Sequence, residues 1–214
     1  MQDLKIIKHR VNTVNDLSTY PSKYGAEIDI RYHNDDLILS HDPFSHHLGD
    51  VVLLSDFLKE YKKTHTGILI LNLKTEGIEE KAAEMMISFK INDWFFLDMS
   101  QPYLIKYTHI NNNPLTSLSN YAVRYSEYEP IEYCMSFKSK AEWIWIDYFT
   151  KSILTKDLEK KLHSNRFKIC LVSPELQNHS KDIVITYVEQ LRKNEILIDS
   201  VCTKYIDLWD KYTC

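Results

Sequence analysis

Apolar runs of strand length recur along the chain: LKIIK (4–8), AEIDI (26–30), GILILNL (67–73), WFFLDM (94–99), YAVRY (121–125), EWIWID (142–147), FKICLV (167–172) and IDSVCT (198–203). A further short run, LILS (37–40), follows AEIDI after the turn-like HNDD and reads as a hairpin extension. Helix-period segments lie between most of these runs. SDFLKEYKK (55–63) opens on a Ser as cap candidate. GIEEKAAEMMISFK (77–90) lays Ile78, Ala82, Met85, Met86 and Phe89 on one face. TKDLEKKLHS (155–164) opens on a Thr cap with acids in its first turn, and KDIVITYVEQLRKN (181–194) is the last long helix. Shorter helices are predicted at 101–110 and 130–139, and the pattern between 11 and 25 is poor.

Strands alternating with helices imply parallel pairing through crossover helices. Eight such strands are the number that closes a (β/α)8 barrel of TIM type, with an open doubly wound sheet as the alternative. At 214 residues, with 44% hydrophobic residues and only 4 Gly and 6 Pro, the chain is expected to form a single barrel domain over 1–214. No repeat and no low-complexity tract interrupts it.

Charge narrows the function classes. A net charge of −4 and a pI near 6.1 speak against a general nucleic-acid binder, which would present a basic face. MQDLKIIKHR lacks the apolar stretch of a secretory signal, and no run is long enough for a stable membrane insertion. The four cysteines, Cys134, Cys170, Cys202 and Cys214, form no CxxC pair. They are expected as reduced thiols in a cytoplasmic protein, without zinc-ligand spacing. The oligomeric state is not written in the sequence.

In a barrel, chemistry gathers at the carboxyl ends of the strands. There the first strand ends in His9-Arg10, and the hairpin strand in His41-Asp42. Glu27 and Asp29, two apart on the second strand, point to one side, as do Asn72 and Lys74 on the third. Two like charges on one buried face repel and lose solvation unless a cation compensates. That cation is either Lys74 or Arg10 alone, or a divalent metal with oxygen ligands. Asp42 either orients His41 or shapes a turn. Arg124 follows the fifth strand, facing either a phosphate or an ion pair with Glu127 or Glu129. Trp143, Trp145 and Asp147 share a face of the sixth; Trp143 reads as core, whereas Trp145 and Asp147 could form a sugar-stacking wall.

The ordered set HR, E-x-D, HD and N-x-K resembles the glycerophosphodiester phosphodiesterase family, within the PLC-like phosphodiesterase barrels, and its sphingomyelinase-D-like relatives. The residues that carry the resemblance are His9-Arg10, Glu27-Ile28-Asp29, His41-Asp42 and Asn72-Leu73-Lys74, with IDSVCTKY (198–205) similar to the family's last strand. The clear match covers roughly residues 4–76. The resemblance implies a PLC-like (β/α)8 barrel in which His9 and His41 are the acid–base pair. It implies Glu27 and Asp29 as ligands of a divalent metal, Mg²⁺ or Ca²⁺, and Lys74 and Arg10 near the phosphate. Arg124, Trp145 and Asp147 would select the rest of the substrate.

The chain departs from the family at four points. Val11 stands where the family has Gly, and the loop after it is short, with only Asn12-Thr13 resembling the end of E-N-T. Asn72 replaces the third-strand acid, and Lys204 replaces the Asp after the last-strand Thr203. Asn72 still offers a carbonyl oxygen to a hard cation, and Glu76 is a weaker substitute. RYSEYEP (124–130), WIWIDYF (143–149) and LVSPEL (171–176) mark a divergent branch. The expected activity is metal-dependent cleavage of a glycerophosphodiester-like or glycan-linked phosphodiester, directly by water or through a cyclic phosphate in a lyase-type step. Asn72 and the short first loop motivate one alternative, a degenerate barrel that binds a phosphorylated ligand or partner. A barrel using Lys74 as a Schiff-base amine is the other, and it leaves the histidines and the acid pair without a shared purpose.

Overall fold

The computed structural model describes residues 4–43, 51–109 and 120–211. The chain divides into two compact units, one formed by residues 9–118 and the other by residues 1–8 with 119–214.

In the unit of residues 9–118, β2 (Gly25–His33) is central. It pairs in parallel with β5 (Leu69–Leu73), which pairs in parallel with β6 (Trp94–Leu97). On its other side β3 (Asp36–Leu39) runs antiparallel, as expected of a hairpin extension, and the two-residue β4 (Val52–Leu53) follows antiparallel to β3. The register sets Asp29 opposite Asn72, so the polar positions of two neighbouring strands coincide. Every residue of β5 and the first six of β2 are buried, the pattern of strands covered on both faces. Gly25 and Gly67 permit this close pairing: a Cβ at Gly25 would stand 2.2 Å from the Ile68 carbonyl oxygen, and one at Gly67 2.3 Å from the Gly25 nitrogen.

In the other unit, β1 (Lys5–Lys8), β10 (Ser200–Thr203), β9 (Lys168–Val172), β8 (Trp143–Ile146) and β7 (Ala122–Tyr125) pair in parallel in that order. Trp143 is buried core, as its position suggested.

The helices fall close to their expected places: α1 (Leu54–Thr64), α2 (Glu79–Ser88), α3 (Gln101–His109), α4 (Ile131–Met135), α5 (Lys156–Ser164) and α6 (Lys181–Lys193). The end of the 101–110 segment lies outside the described residues. Thr155 caps α5, accepting a hydrogen bond from Leu158 N at 3.2 Å. Ser55 does not cap α1; the helix already begins at Leu54, with Leu53 extended at the cap and offering no side-chain acceptor. The buried face of α2 carries Ile78, Ala82, Ala83 and Met86, with Met85 and Phe89 half-buried at its margin. Four elements were not anticipated: β4, 3-10 turns at Asn15–Thr19 and Pro174–Gln177, and a short α7 (Ile206–Asp210) that buries Ile206 and Trp209.

Cys134, Cys170 and Cys202 are buried, and Cys214 lies outside the described residues. No helix among the described residues is long and apolar enough to cross a membrane.

Candidate functional site

The ends of β2, the β3 hairpin and β5, together with the segment that opens at His9, bring most of the expected residues into one network. Glu27 and Asp29 are almost wholly buried, at 1% and 0% exposure. Glu27 Oε1 accepts from Asn72 Nδ2 at 2.8 Å, and Oε2 accepts from the backbone amide of Arg10 at 2.7 Å. His9 Nε2 stands 3.9 Å from the same Oε2. Burial, reinforced by the neighbouring Asp29 carboxylate, pushes the Glu27 carboxyl up to about 7, against the opposing pull of Asn72, the Arg10 amide and Lys74.

Asp29 is pinned by a residue the sequence reading assigned no role. Asn12 donates from Nδ2 to Asp29 Oδ2 and accepts from the Asp29 amide, both at 2.8 Å. Lys74 Nζ lies 3.5 Å from Asp29 Oδ1 and 3.5 Å from Asp98 Oδ2. Lys74 is thus the compensating cation at the acid pair, while Arg10 meets Glu27 through its backbone and sends its guanidinium elsewhere. Two carboxylates facing one ammonium leave the site short of positive charge.

The guanidinium of Arg10 reaches His41 Nε2, and His41 Nδ1 faces Asp42 Oδ1 at 2.9 Å. An Arg donates only, so these partners assign His41 the tautomer with its proton on Nδ1 and its lone pair on Nε2. Asp42 therefore orients His41, and the histidine contact holds the Asp42 carboxyl below its ordinary range. Arg31 secures the same region from below: its guanidinium donates to the carbonyl oxygens of His41 at 2.8 Å and Lys74 at 3.1 Å. Arg10 and Asp98 both take left-handed backbone angles, φ 54° and 59°, which cost a non-glycine residue energy and cluster where geometry is functional.

Among the described residues no three of His, Cys, Asp and Glu cluster as a metal centre. Yet Asp29 Oδ1 and Asn72 Oδ1 are buried without a hydrogen-bond donor, beside a second carboxylate. Unmet hard oxygens next to paired carboxylates fit a divalent cation of the Mg²⁺ or Ca²⁺ type, with Asn72 supplying the third side chain. Glu76 instead lines a cavity with Lys74 and Asp98.

Three expected residues belong to the other unit. Arg124 is paired with Asp147, and its Nε lies 3.8 Å from Glu129 Oε1. Asp147 also accepts from Gln177 Nε2 at 2.9 Å. Glu127 is not the partner of Arg124; it accepts the amides of Thr150 and Lys151 at 2.8 and 3.0 Å. Trp145 is only 5% exposed, so the stacking wall expected of it has no open face, and its Nε1 is left without an acceptor among the described residues. Asn12, Arg31, Asp98 and Gln177 were missed. Asp98, an acid at the end of an apolar strand run, and Asn12, in the remnant of E-N-T, carried a readable signal.

No protein-family model matches the chain, and no curated protein matches it in sequence. Solved structures do match in fold. A glycerophosphodiester phosphodiesterase from Parabacteroides distasonis is similar with a TM-score of 0.67 at 14% identity, over 99% of this chain and 98% of that one. A phosphodiesterase from Oleispira antarctica, solved with the product sn-glycerol-3-phosphate, gives 0.67 at 14% identity over 98% and 96%. A chain of the tryptophan synthase complex from Pyrococcus furiosus gives 0.58 at 12% identity over 94% and 87%. The fold is the α/β barrel of TIM type, and phosphodiesterase structures are among those that share it. The third similarity shows that this fold serves unrelated chemistry, so function must be argued from the site.

Proposed function

We propose that this chain is a phosphoric diester hydrolase that cleaves a glycerophosphodiester-like or glycan-linked phosphodiester by two-histidine acid–base catalysis. One observation carries the reading: Arg10 ties both imidazoles to the acid pair, meeting His41 Nε2 with its guanidinium and Glu27 Oε2 with its amide, where His9 Nε2 also stands. The sn-glycerol-3-phosphate bound to the Oleispira antarctica phosphodiesterase supports a glycerophosphate moiety in the substrate.

The roles follow from the hydrogen bonds. His41, with Nδ1–H turned to Asp42, offers its Nε2 lone pair as general base once the substrate draws Arg10 toward phosphate. His9, whose Nε2 stands 3.9 Å from Glu27 Oε2, serves as general acid, giving its proton to the leaving oxygen. Lys74 and Arg10 place positive charge where the pentacovalent transition state gathers negative charge. Glu27, Asp29 and Asn72 would hold a divalent cation, whose contribution when bound is to draw charge from a phosphoryl oxygen. Asn72 in place of an acid makes that affinity lower than a three-carboxylate set would give.

The attacking hydroxyl belongs to water or to the substrate itself. In the second case the first product is a cyclic phosphate and the reaction is formally a lyase step. The test is release of alcohol from a glycerophosphodiester or bis-p-nitrophenyl phosphate with Mg²⁺ or Ca²⁺. Phosphorus NMR of the products separates a cyclic from an open ester. Activity is expected to vanish with EDTA and to fall by ~10²–10⁴ in His9→Ala and in His41→Ala. Full activity in the double variant overturns the proposal.

A further inference from the structure

Beside Lys74 lies a cavity of about 210 Å³ whose polar lining is Lys74, Thr75, Glu76, Glu79, Asp98 and Ser100. Its lining brings three carboxylates against a single ammonium. Lys74 is already engaged by Asp29 and Asp98 at 3.5 Å each.

Glu79 is the telling member. It is 1% exposed at the first turn of α2, and backbone amides of its own turn hydrogen-bond to its carboxylate. Oε2 nevertheless has no hydrogen-bond donor among the described residues, and the buried Ser100 Oγ has no partner either. Lys106, which acts on Glu79 from outside the lining, is paired with Glu80 at 3.8 Å. Burial, reinforced by Glu76, pushes the Glu79 carboxyl above its ordinary range against the pull of the backbone amides and Lys106. A buried carboxylate oxygen without a donor in the protein is met by a water, an ion or a ligand group, and here it borders a cavity large enough for one.

We infer that this cavity is a head-group subsite that selects an alcohol carrying a primary ammonium group. The inference rests on the phosphodiesterase reading and names the substrate class for it. A primary ammonium supplies three N–H donors, enough for Glu79, Asp98 and Ser100 together. A neutral polyol would satisfy acceptors but leave the excess negative charge. A quaternary ammonium has no N–H to donate and is recognised by aromatic faces, which this lining lacks. The order of charge also fits: Lys74 meets the phosphate, and the acids behind it meet the cationic end of a zwitterion.

The experiment compares turnover of the glycerophosphodiesters of ethanolamine, choline and glycerol by the whole chain with Mg²⁺. In parallel, calorimetry measures binding of ethanolamine phosphate, choline phosphate and glycerol phosphate. The wild-type protein is expected to prefer the ethanolamine ester at least tenfold in kcat/KM. In Glu79→Gln that preference ratio should fall at least tenfold, with a thermal melt confirming the fold. Equal rates across the panel, a preference for choline or glycerol, or a ratio unchanged in a folded Glu79→Gln overturns the inference. If no diester is cleaved, the phosphodiesterase reading fails, and calorimetry alone decides the subsite. Tighter binding of ethanolamine phosphate by tenfold or more then supports it, and equal or absent binding overturns it.

Discussion

Asp29 and Glu79, buried in residues 9–118, and Glu175 and Asp147, buried in the other unit, are in opposite condition. Glu175 is met on both oxygens: Oε1 accepts from Thr203 Oγ1 at 2.6 Å and Lys204 N at 2.8 Å, and Oε2 accepts from Ser173 Oγ. Ser173 is itself held by Trp209 Nε1 at 2.8 Å. Asp147 is met by Arg124 and Gln177. By contrast, Asp29 Oδ1 and Glu79 Oε2 lack hydrogen-bond donors, and Glu27 faces a second carboxylate. Both sets are equally dry. The difference is satisfaction, and it separates acids that hold the fold from acids that wait for a ligand.

The comparison breaks most sharply on activity. Asp29→Asn should abolish metal-dependent turnover, a loss of at least ~10²-fold, and in metal-free buffer its melting temperature should hold, because the change removes both the repulsion with Glu27 and the pairing with Lys74. A melting temperature that falls would mean that Asp29 is structural. Next in size, Glu175→Gln should cost about 1–3 kcal/mol of stability, since donors then face an amide N–H₂. Denaturant unfolding reads this, and turnover should change less than twofold; a variant as stable as wild type would erase the contrast.

A thermal shift with Mg²⁺ or Ca²⁺ is a smaller effect, worth RT ln(1 + [L]/Kd), about 2.7 kcal/mol at 100 Kd and less for a site weakened by Asn72. The shift should disappear in Glu27→Gln and survive in Glu175→Gln.

The smallest effect is a pH dependence in the unit that holds Glu175. His163 lies 3.0 Å from Asp199 and 2.9 Å from Glu159, and its contact with Asp199 raises its pKa above the ordinary value. The folded state thus holds a proton that the unfolded state has lost. Its contribution is complete below the ordinary histidine pKa and fades as pH rises through the raised one. The gap in melting temperature between wild type and His163→Gln should therefore be widest in acid and narrow above neutrality. A gap constant from pH 5 to 9 would show that His163 acts by packing alone.

Much of this was legible in the sequence because strand runs and strand-end polar residues are local signals. The eight apolar runs land on strands, and Glu27, Asp29, Asn72 and Lys74 meet because alternation and parallel register bring them to one face. What escaped depended on contacts across the chain. Asn12 reaches Asp29 over 17 residues, Arg31 reaches Lys74 over 43, and Gln177 reaches Asp147 over 30. No periodicity records such pairs. Likewise α7 is one turn of IDLWD, too short to show a helical period, and it is held by the burial of Trp209. Ser55 misled because a good capping residue near a helix start does not fix where the helix starts.

Arg10 places engineering for robustness at odds with engineering for turnover. Its left-handed backbone, φ 54°, makes Arg10→Gly an obvious stabilising substitution, worth about 1 kcal/mol in relieved strain. A selection for heat tolerance alone would accept that change and discard the guanidinium that reaches His41. Variants of this chain chosen only for melting temperature would therefore drift toward a sturdier barrel that has lost its reason to be one.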